Sequence, residues 1–205
     1  MSALISSLVA EHDHIQRVLV GLHDFAAFHA HDHPDARAVL GQFVTYLREY
    51  VDGWHHHKEE DLLFVAMERA GFSHASGPLA CMYLDHGSGR EHVALLAELA
   101  GTGGRLDEEE LAILGRVALG YIRLLTGHIV KENEMLYPMA LRRIPEATLA
   151  ELDAAAARLE PAAARRLEAL GDQLVARYGA ARLATGSDPA SRRDTPPHRP
   201  AGAEP

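Results

Sequence analysis

Apolar residues recur at steps of three, four and seven positions through most of the first 140 residues of this chain. This spacing is typical of amphipathic helices, and no stretch shows the alternation of a half-buried strand. The segments HAHDHP, GFSHASGP and GTGG separate four such stretches, the fourth of which carries Leu114, Ala118, Leu125 and Met135 on its inward stripe. Four helices of roughly 20 to 35 residues with short connections predict an all-α protein, built as an antiparallel up-down four-helix bundle.

The composition of the chain changes after about residue 142. Residues 143–183 are rich in alanine, and two prolines divide them into stretches with modest apolar faces, so we expect additional C-terminal helices that cap the bundle. Residues 184–205 are rich in proline and polar residues and have almost nothing to bury, which predicts a disordered tail. The predicted organisation is therefore a bundle over 1–142, a helical extension over 143–183 and the tail.

Charge and cysteine content exclude several classes of protein. The formal net charge of −9 disfavours nucleic acid as a partner, because an acidic chain repels a phosphate backbone. A single cysteine excludes a disulfide framework and a cysteine-rich metal site. The first residues contain no basic region of a secretion signal, and no run approaches the roughly 18 uninterrupted apolar residues of a membrane span. We therefore expect a soluble, cytoplasmic protein without a membrane partner.

Histidine is abundant, with 14 residues in the chain. Four histidines fall on the apolar stripes, one on each predicted helix: His12, His55, His86 and His128. Two carboxylates follow one turn later, Glu59 four residues after His55 and Glu132 four residues after His128. This step separates an imidazole from its carboxylate by about 6 Å along the helix axis, so both reach the same metal site.

The size of this inward set indicates how many metal ions it holds. Buried carboxylates are costly unless they are paired or bind a cation, and imidazoles and carboxylates together suit transition metals. A single zinc ion normally takes four ligands. The six candidates therefore predict a dinuclear centre in which the two glutamates bridge the ions, and iron is the expected metal.

Several neighbouring residues have roles that the spacing leaves open. His56 lies beside the inward stripe and Tyr121 lies on it, so both are open as additional ligands, with core packing as the ordinary role of the tyrosine. Glu60 and Asp61 either lie in solvent or hold a ligand histidine through its second nitrogen. The nine other histidines, His14 among them, are expected in turns, in the tail or on outer faces.

An internal repeat links the second and fourth helices. Residues 55–64 and 128–137 align without gaps, HHHKEEDLLF against HIVKENEMLY, with the His-x-x-x-Glu pairs and Lys58 and Lys131 in register. The repeat falls on the residues that the helical spacing selects independently. It indicates two halves of a pseudo-twofold site.

At these residues the chain resembles the hemerythrin-like, or HHE cation-binding, family. The matching pieces are LVAEHDHI, WHHHKEEDLLF, MYLDHGSGREHV and GHIVKENEMLYPMA, which together cover about residues 1–142. The resemblance implies an up-down four-helix bundle that holds two non-haem iron ions joined by an oxo or hydroxo bridge. It assigns the bridging carboxylates to Glu59 and Glu132 and the remaining ligands to the four inward histidines.

The chain departs from the invertebrate oxygen carriers of this family at two points. Their third helix supplies a second histidine four residues after the first, where this chain has Arg90. Their fourth helix uses a histidine and an aspartate five residues apart, where this chain has His128 and Glu132 four apart. One iron is therefore expected to lack a histidine, and water, Tyr121 or His56 would fill the vacant position.

Three functions are compatible with such a centre. The first is the binding of a diatomic ligand, O2 or NO, for sensing, storage or protection. The second is an enzyme that acts on hydrogen peroxide in the manner of a catalase, or on nitric oxide, with buried groups such as Tyr121 or Glu60 as proton carriers. The third is an iron-handling regulatory protein whose stability depends on metal occupancy.

Overall fold

In a computed structural model of the protein, residues 2–101, 103–159 and 161–179 are described, and helices form all of their regular structure. The predicted all-α class is therefore confirmed, while the predicted tail, residues 184–205, lies outside the described residues. The helices are α1 (Ala3–Asp24, with a π-helical turn Phe25–His29), α2 (Ala36–Tyr46, π-helical Leu47–His56 and Glu59–Phe64, then Val65–Arg69), α3 (Gly77–Leu99), α4 (Glu108–Lys131, π-helical Glu132–Leu136, then Tyr137–Arg143), α5 (Glu146–Ala156) and α6 (Pro161–Leu174, with a π-helical turn Val175–Gly179).

Local signals in the sequence set the ends of two of these helices. Asp107 accepts from the backbone N–H of Glu110, and the Glu110 carboxylate accepts from the backbone N–H of Asp107, so the two form a capping box at the start of α4. Gly71 follows the end of α2 with φ at 96°, a left-handed conformation that glycine adopts without a Cβ penalty. The chain turns there, and α3 begins six residues later.

α1 and α2 pack as neighbours that run in opposite directions, and so do α3 and α4. Between α1 and α2, the Lys58 ammonium donates to Ser7 at 3.2 Å and the Trp54 indole donates to Glu11 at 3.1 Å. An earlier residue of α1 thus meets a later residue of α2, as the predicted antiparallel arrangement requires. Between α3 and α4, Lys131 donates to Asp85, and the later Gly89 lies beside the earlier Tyr121, so these two helices also run in opposite directions.

Two apolar clusters fill the interior at opposite ends of the bundle. One cluster includes Leu22, Phe43 and Leu114, and the other includes Leu8 and Phe64, all of them fully buried. Burial of apolar surface on this scale is the main driving force for folding. The residues between the two clusters along each helix are the polar ones described below, so the apolar ends enclose a polar centre.

α4 is also the one described helix that is long and apolar enough to cross a membrane by length and hydropathy. Its inward face packs in the bundle, with Leu114, Ala118 and Leu125 buried. A core helix of a bundle passes the same test of length and hydropathy.

The C-terminal helices pack on the bundle through specific contacts. The Asp153 carboxylate of α5 accepts from the Ser2 hydroxyl at 2.6 Å and from the backbone N–H groups of Ala3 and Leu4 at 2.9 Å, so it caps the start of α1. α6 lies against α1 and α2, where Gly171 faces buried side chains. The extension therefore completes the core that the first four helices form.

We predict that Gly171→Ala destabilises the protein, because no space exists for a methyl group there. A Cβ at this position would lie 2.6 Å from His14 Nε2, 2.7 Å from the Tyr46 ring and 3.1 Å from a methyl of Val18. Overpacking of this kind costs about 1–3 kcal/mol, more than alanine gains in helix propensity. Urea unfolding measures the loss, with Gly127→Ala in α4 as the control, since a Cβ there would meet no atom outside its own helix backbone within 4 Å. Equal stability of the two variants would contradict the close packing of α6.

Candidate metal centre

Six polar side chains meet between the two apolar clusters. Each has at most 1% of its surface exposed. They are His12 of α1, His55 and Glu59 of α2, His86 of α3, and His128 and Glu132 of α4. The structure therefore brings the six candidates from the sequence to one buried place.

π-helical turns shape this place in α2 and α4. His55 and His56 end the first π-helical segment of α2, Glu59 begins the second, and Glu132 begins the π-helical turn of α4. The i to i+5 hydrogen bonds of a π-helical turn change the register of the side chains and are frequent at functional sites. As a result His55 and His56 are both buried although they are consecutive.

The donor atoms form two overlapping groups, within each of which all of them lie within 4.8 Å of one another. We call His12, His55, Glu59 and Glu132 position A, and His56, Glu59, His86 and His128 position B. Glu59 belongs to both positions. Glu132 also approaches both, with Oε2 3.2 Å from His12 Nε2 and Oε1 3.1 Å from His128 Nε2. The two carboxylates thus lie where ligands that bridge two ions would lie.

The outer hydrogen bonds of the histidines determine which ring nitrogen faces the centre. Four of the rings place Nδ1 against a carboxylate, which can only accept, so Nδ1 carries a proton and donates it. The pairs are His55 with Glu11 at 2.9 Å, His56 with Asp52 at 3.3 Å, His86 with Glu60 at 2.6 Å and His128 with Asp85 at 3.3 Å. In the neutral ring Nε2 then directs its lone pair inward, as in a metal-binding histidine.

The inward atoms lack partners in a way that a metal ion would correct. His12 Nε2 lies 3.0 Å from His55 Nε2, and His86 Nε2 lies 3.2 Å from His128 Nε2. Where both rings are neutral, two lone pairs at such distances repel each other. A proton on one ring, which the raised pKa of His128 favours, or a metal ion near both nitrogens removes this repulsion. Glu59 Oε2 is buried without a hydrogen-bond partner, which is rare in proteins, and the two buried oxygens of Glu132 face ring nitrogens of His12 and His128 that are themselves donor atoms for a metal. This set of nitrogen and oxygen donors fits transition-metal ions, iron among them.

A comparison with protein families agrees with this donor set. Residues 3–140 match the model of the hemerythrin HHE cation-binding domain. The chain belongs to the hemerythrin HHE family. Neither the curated proteins nor the solved structures give a significant match. The resemblance predicted from the four sequence pieces is therefore confirmed, and the HHE domain together with the donor groups indicates a metal-binding protein.

The internal repeat of the HHE domain extends beyond the inward residues. On α2, Lys58 donates to Glu11, the carboxylate that accepts from the His55 ring. On α4, Lys131 donates to Asp85 in the same way. Glu11 and Asp85 directly precede the inward histidines of α1 and α3. Each of these two helices therefore supplies, beside its own histidine, the group that orients the histidine of the next helix.

Six of the ten aligned pairs of the repeat differ, and three of these make the two positions unequal. They are His56 with Ile129, Glu60 with Asn133, and Phe64 with Tyr137. Position B thus has a third imidazole that position A lacks. Tyr137 stacks on His12 at 5.7 Å and its hydroxyl donates to Glu59 Oε1 at 2.5 Å. Phe64 stacks on His86 at the same distance and offers no polar group.

Arg90 stands where the oxygen carriers have their second histidine of α3. Its side chain is 45% exposed and donates from Nε to Asp52 and from Nη2 to Glu60, both at 2.8 Å. These are the carboxylates that hold His56 and His86, whose rings stack at 3.8 Å. Of the residues expected to fill the vacant position, His56 belongs to a donor group, that of position B.

For three residues near the centre, the structure adds to or corrects what the sequence predicts. Tyr121 lies beside Gly89, and burial together with the charge of Asp52 raises the pKa of its phenol, which favours the neutral form over a phenolate ligand. His14 was expected in solvent, but α6 covers it and it is buried, so that prediction was wrong. Tyr137 was missed, although its place opposite the phenylalanine of the repeat would have marked it.

The metal-free protein is expected to lose stability in acid. Burial lowers the pKa of His55 and of His56 to about 4 and that of His86 to about 3, against about 6.5 in the unfolded chain. Below pH 6.5 the unfolded chain therefore binds protons that the folded protein does not, and stability falls until the folded values are reached. By pH 5 the loss is on the order of several kcal/mol.

His128 contributes to the pH dependence of stability with the opposite sign. Burial lowers its pKa, but the charges of Glu132 and Asp85 outweigh burial and raise the pKa to about 9. Its contribution is complete below pH 6.5 and is lost as the pH rises through 9. Urea unfolding of chelator-treated protein at pH 7, 6 and 5 checks the balance, and a midpoint that does not fall over this range would contradict the burial of three neutral rings.

Proposed function

We propose that the protein is a non-haem di-iron protein that binds a small diatomic ligand, O2 or NO, for sensing, storage or protection. The observation that carries this proposal is the pair of overlapping donor groups that share Glu59. One ion would use the imidazoles of position A, the other those of position B, and Glu59 and Glu132 would lie between them. The iron supplies the ligand-binding and redox chemistry when it is bound.

The surroundings of the centre support a small, uncharged ligand. Apolar clusters enclose the centre on both sides, and the inward residues are almost completely buried. The cavity that adjoins His56 has a volume of about 120 Å³, whereas pockets for organic ligands of drug size occupy about 300–1,000 Å³. A diatomic molecule fits this space and an ordinary organic substrate does not.

The metal content and the spectrum of the purified protein test the proposal. Two irons per chain with near-ultraviolet and visible absorption of a di-iron centre are expected. Stopped-flow mixing of the reduced protein with O2 or NO should then change its absorption spectrum. One zinc ion per chain, or two irons with no spectral change on addition of either gas, would contradict the proposal.

The contact between Tyr137 and Glu59 favours a second candidate function. A buried hydroxyl at 2.5 Å from a carboxylate of the centre is placed to move a proton there, as the disproportionation of peroxide to oxygen and water requires. We predict that Tyr137→Phe lowers any peroxide turnover about 100-fold, within the range of a lost proton carrier, with unchanged iron content. Tyr83→Phe, at a half-buried tyrosine that donates to Glu68, is the control. Oxygen evolution no faster than with free iron would exclude this candidate.

A further inference from the structure

A small cavity adjoins position B between α2, α3 and α4. Its volume is about 120 Å³. Its apolar wall is formed by Leu47, Val51, Val93 and Tyr121. The almost fully buried His56 lies at its inner end, and the charged Arg48, Asp52 and Arg90 lie at its rim. It therefore leads from the surface of the bundle to a residue of the donor group.

The shape of the cavity depends on a glycine of α3. Gly89 lines the cavity, and a Cβ built on it would lie 3.7 Å from the Tyr121 ring, an ordinary contact distance. A larger side chain at this position would extend into the cavity. Empty space lined by Leu, Val and aromatic carbon takes up small apolar guests such as xenon.

Arg90 joins the rim of the cavity to two rings of position B. It donates to Asp52, which accepts from His56, and to Glu60, which accepts from His86. The exposed fractions of the three charged side chains lie between 22% and 45%, so their ion pairs are screened by solvent and open at low cost. Breaking these ion pairs would let the Arg90 side chain leave the rim and would release Asp52, the carboxylate that orients the His56 ring.

A second cavity leads elsewhere. It lies between α1 and α6, has a volume of about 430 Å³ and is lined mainly by polar groups, among them Glu11, Arg17 and Asp172. Glu11 is the hydrogen-bond acceptor of His55 and stands between this cavity and that ring. The cavity beside His56 is thus the one of the two that touches a member of a donor group.

We propose that the cavity beside His56 is the entrance through which small ligands reach the metal centre, and that Arg90 is the positioning residue that closes it. This inference rests on the proposed function. The closed state has both ion pairs of Arg90 formed, and the open state has them broken. The apolar wall favours small neutral molecules, because a charged ligand would lose its hydration beside it and a larger ligand would not fit.

Gly89→Leu tests the entrance by filling it. Stopped-flow mixing of the reduced, iron-loaded variant with NO should show association slowed about tenfold or more, equivalent to ~1.4 kcal/mol on the barrier. Dissociation should slow equally, so that the Kd changes less than about twofold, since an entrance alters rates and not equilibrium. Gly115→Leu in α4, where no atom lies within 4 Å, is the matched control. Val93→Phe fills the cavity from another wall if the first variant does not fold.

Arg90→Ala tests the closing device in the opposite direction. Loss of two screened ion pairs should speed NO association about two- to fivefold, from the usual strength of such pairs. Arg90→Lys can hold one of the two carboxylates at a time. Its NO association rate is therefore expected to lie between the rates of Arg90→Ala and the wild type. A purely structural role for Arg90 would lower the melting temperature and leave the association rate unchanged.

Xenon uptake by the metal-free protein examines the cavity without any iron. Xenon should shift the amide resonances of Gly89 and its neighbours in the wild type and not in Gly89→Leu. A protein that loads no iron would overturn the proposed function, and the entrance with it. Normal iron loading with an unchanged NO rate in Gly89→Leu, or no xenon shift in the wild type, would overturn the entrance alone.

Discussion

Glu59→Gln is expected to remove most of the metal affinity of the centre while the metal-free fold stays as stable as the wild type. Glu59 belongs to both donor groups, so its loss weakens positions A and B together. Replacement of an outer hydrogen-bond partner of a metal ligand typically costs 10–100-fold in affinity, and a bridging ligand should cost at least about 100-fold. The iron content should therefore fall from two per chain to one or none.

The metal-free protein should tolerate the same change because its interior favours the neutral form of the Glu59 carboxyl. Burial, followed by the negative charge of Glu132, raises the pKa of the Glu59 carboxyl well above its usual range. A glutamine matches the size of the neutral acid, and its carbonyl can still accept from the Tyr137 hydroxyl. Urea unfolding after chelator treatment should show a difference within about 1 kcal/mol of the wild type.

A neighbouring carboxylate provides the control for Glu59. Asp61 lies on the outer face of α2, where it pairs with the exposed His57 at 2.8 Å. Asp61→Asn should therefore retain two irons per chain and the melting temperature of the loaded protein. Full iron content in Glu59→Gln would contradict the bridging role, and equal losses in both variants would indicate a general effect on folding.

The sequence predicts the bundle and its six inward residues because helical periodicity selects them. Each inward histidine lies three, four or seven residues from an apolar neighbour, and the two glutamates follow by four, so one face of each helix contains all of them. Gly71 similarly marks the end of α2 through its left-handed backbone. These features depend on local spacing, which a single sequence displays directly.

The apolar periodicity of the sequence does not predict the π-helical turns. The periodicity predicts Met135 on the inward stripe of α4, but Met135 is 52% exposed and Leu136 is buried instead. The turn Glu132–Leu136 shifts the register at this point, so that prediction was wrong. The same kind of shift in α2 turns His56 inward beside His55, where the sequence left its role open.

Contacts between helices that are distant in the sequence could not be predicted either. His14 is buried because α6 packs on α1, and nothing in the residues around it indicates that cover. The carboxylates that orient the rings come from other helices, as Glu60 does for His86 and Asp85 for His128. Glu60 was open for such a role from its position next to Glu59, and the structure assigns it that role.

His56→Ile is expected to weaken metal binding and to stabilise the metal-free protein at the same time. The substitution copies the repeat, in which Ile129 occupies the equivalent place on α4. Position B would keep His86, His128 and Glu59 and lose its third imidazole. The affinity of position B for a divalent ion should fall about 100-fold, the upper end of the range for a lost partner near a metal.

The expected gain in stability of the metal-free His56→Ile variant has its cause in the same imidazole ring. His56 Nε2 is buried without a hydrogen-bond partner, which costs about 1–3 kcal/mol. Isoleucine removes this polar atom and retains apolar contact, and Asp52 keeps its partner Arg90. The unfolding free energy after chelator treatment should therefore rise by about 1–2 kcal/mol.

Cobalt(II) titration followed by visible absorption separates the two positions. The wild type should bind two ions, and His56→Ile should bind the first as before and the second about 100-fold more weakly. His57→Ala, at the next residue but on the exposed face, is the matched control and should change neither affinity. If both variants bound two ions like the wild type, His56 would serve only to stack on His86, and the two positions would have equal donor sets of two imidazoles each.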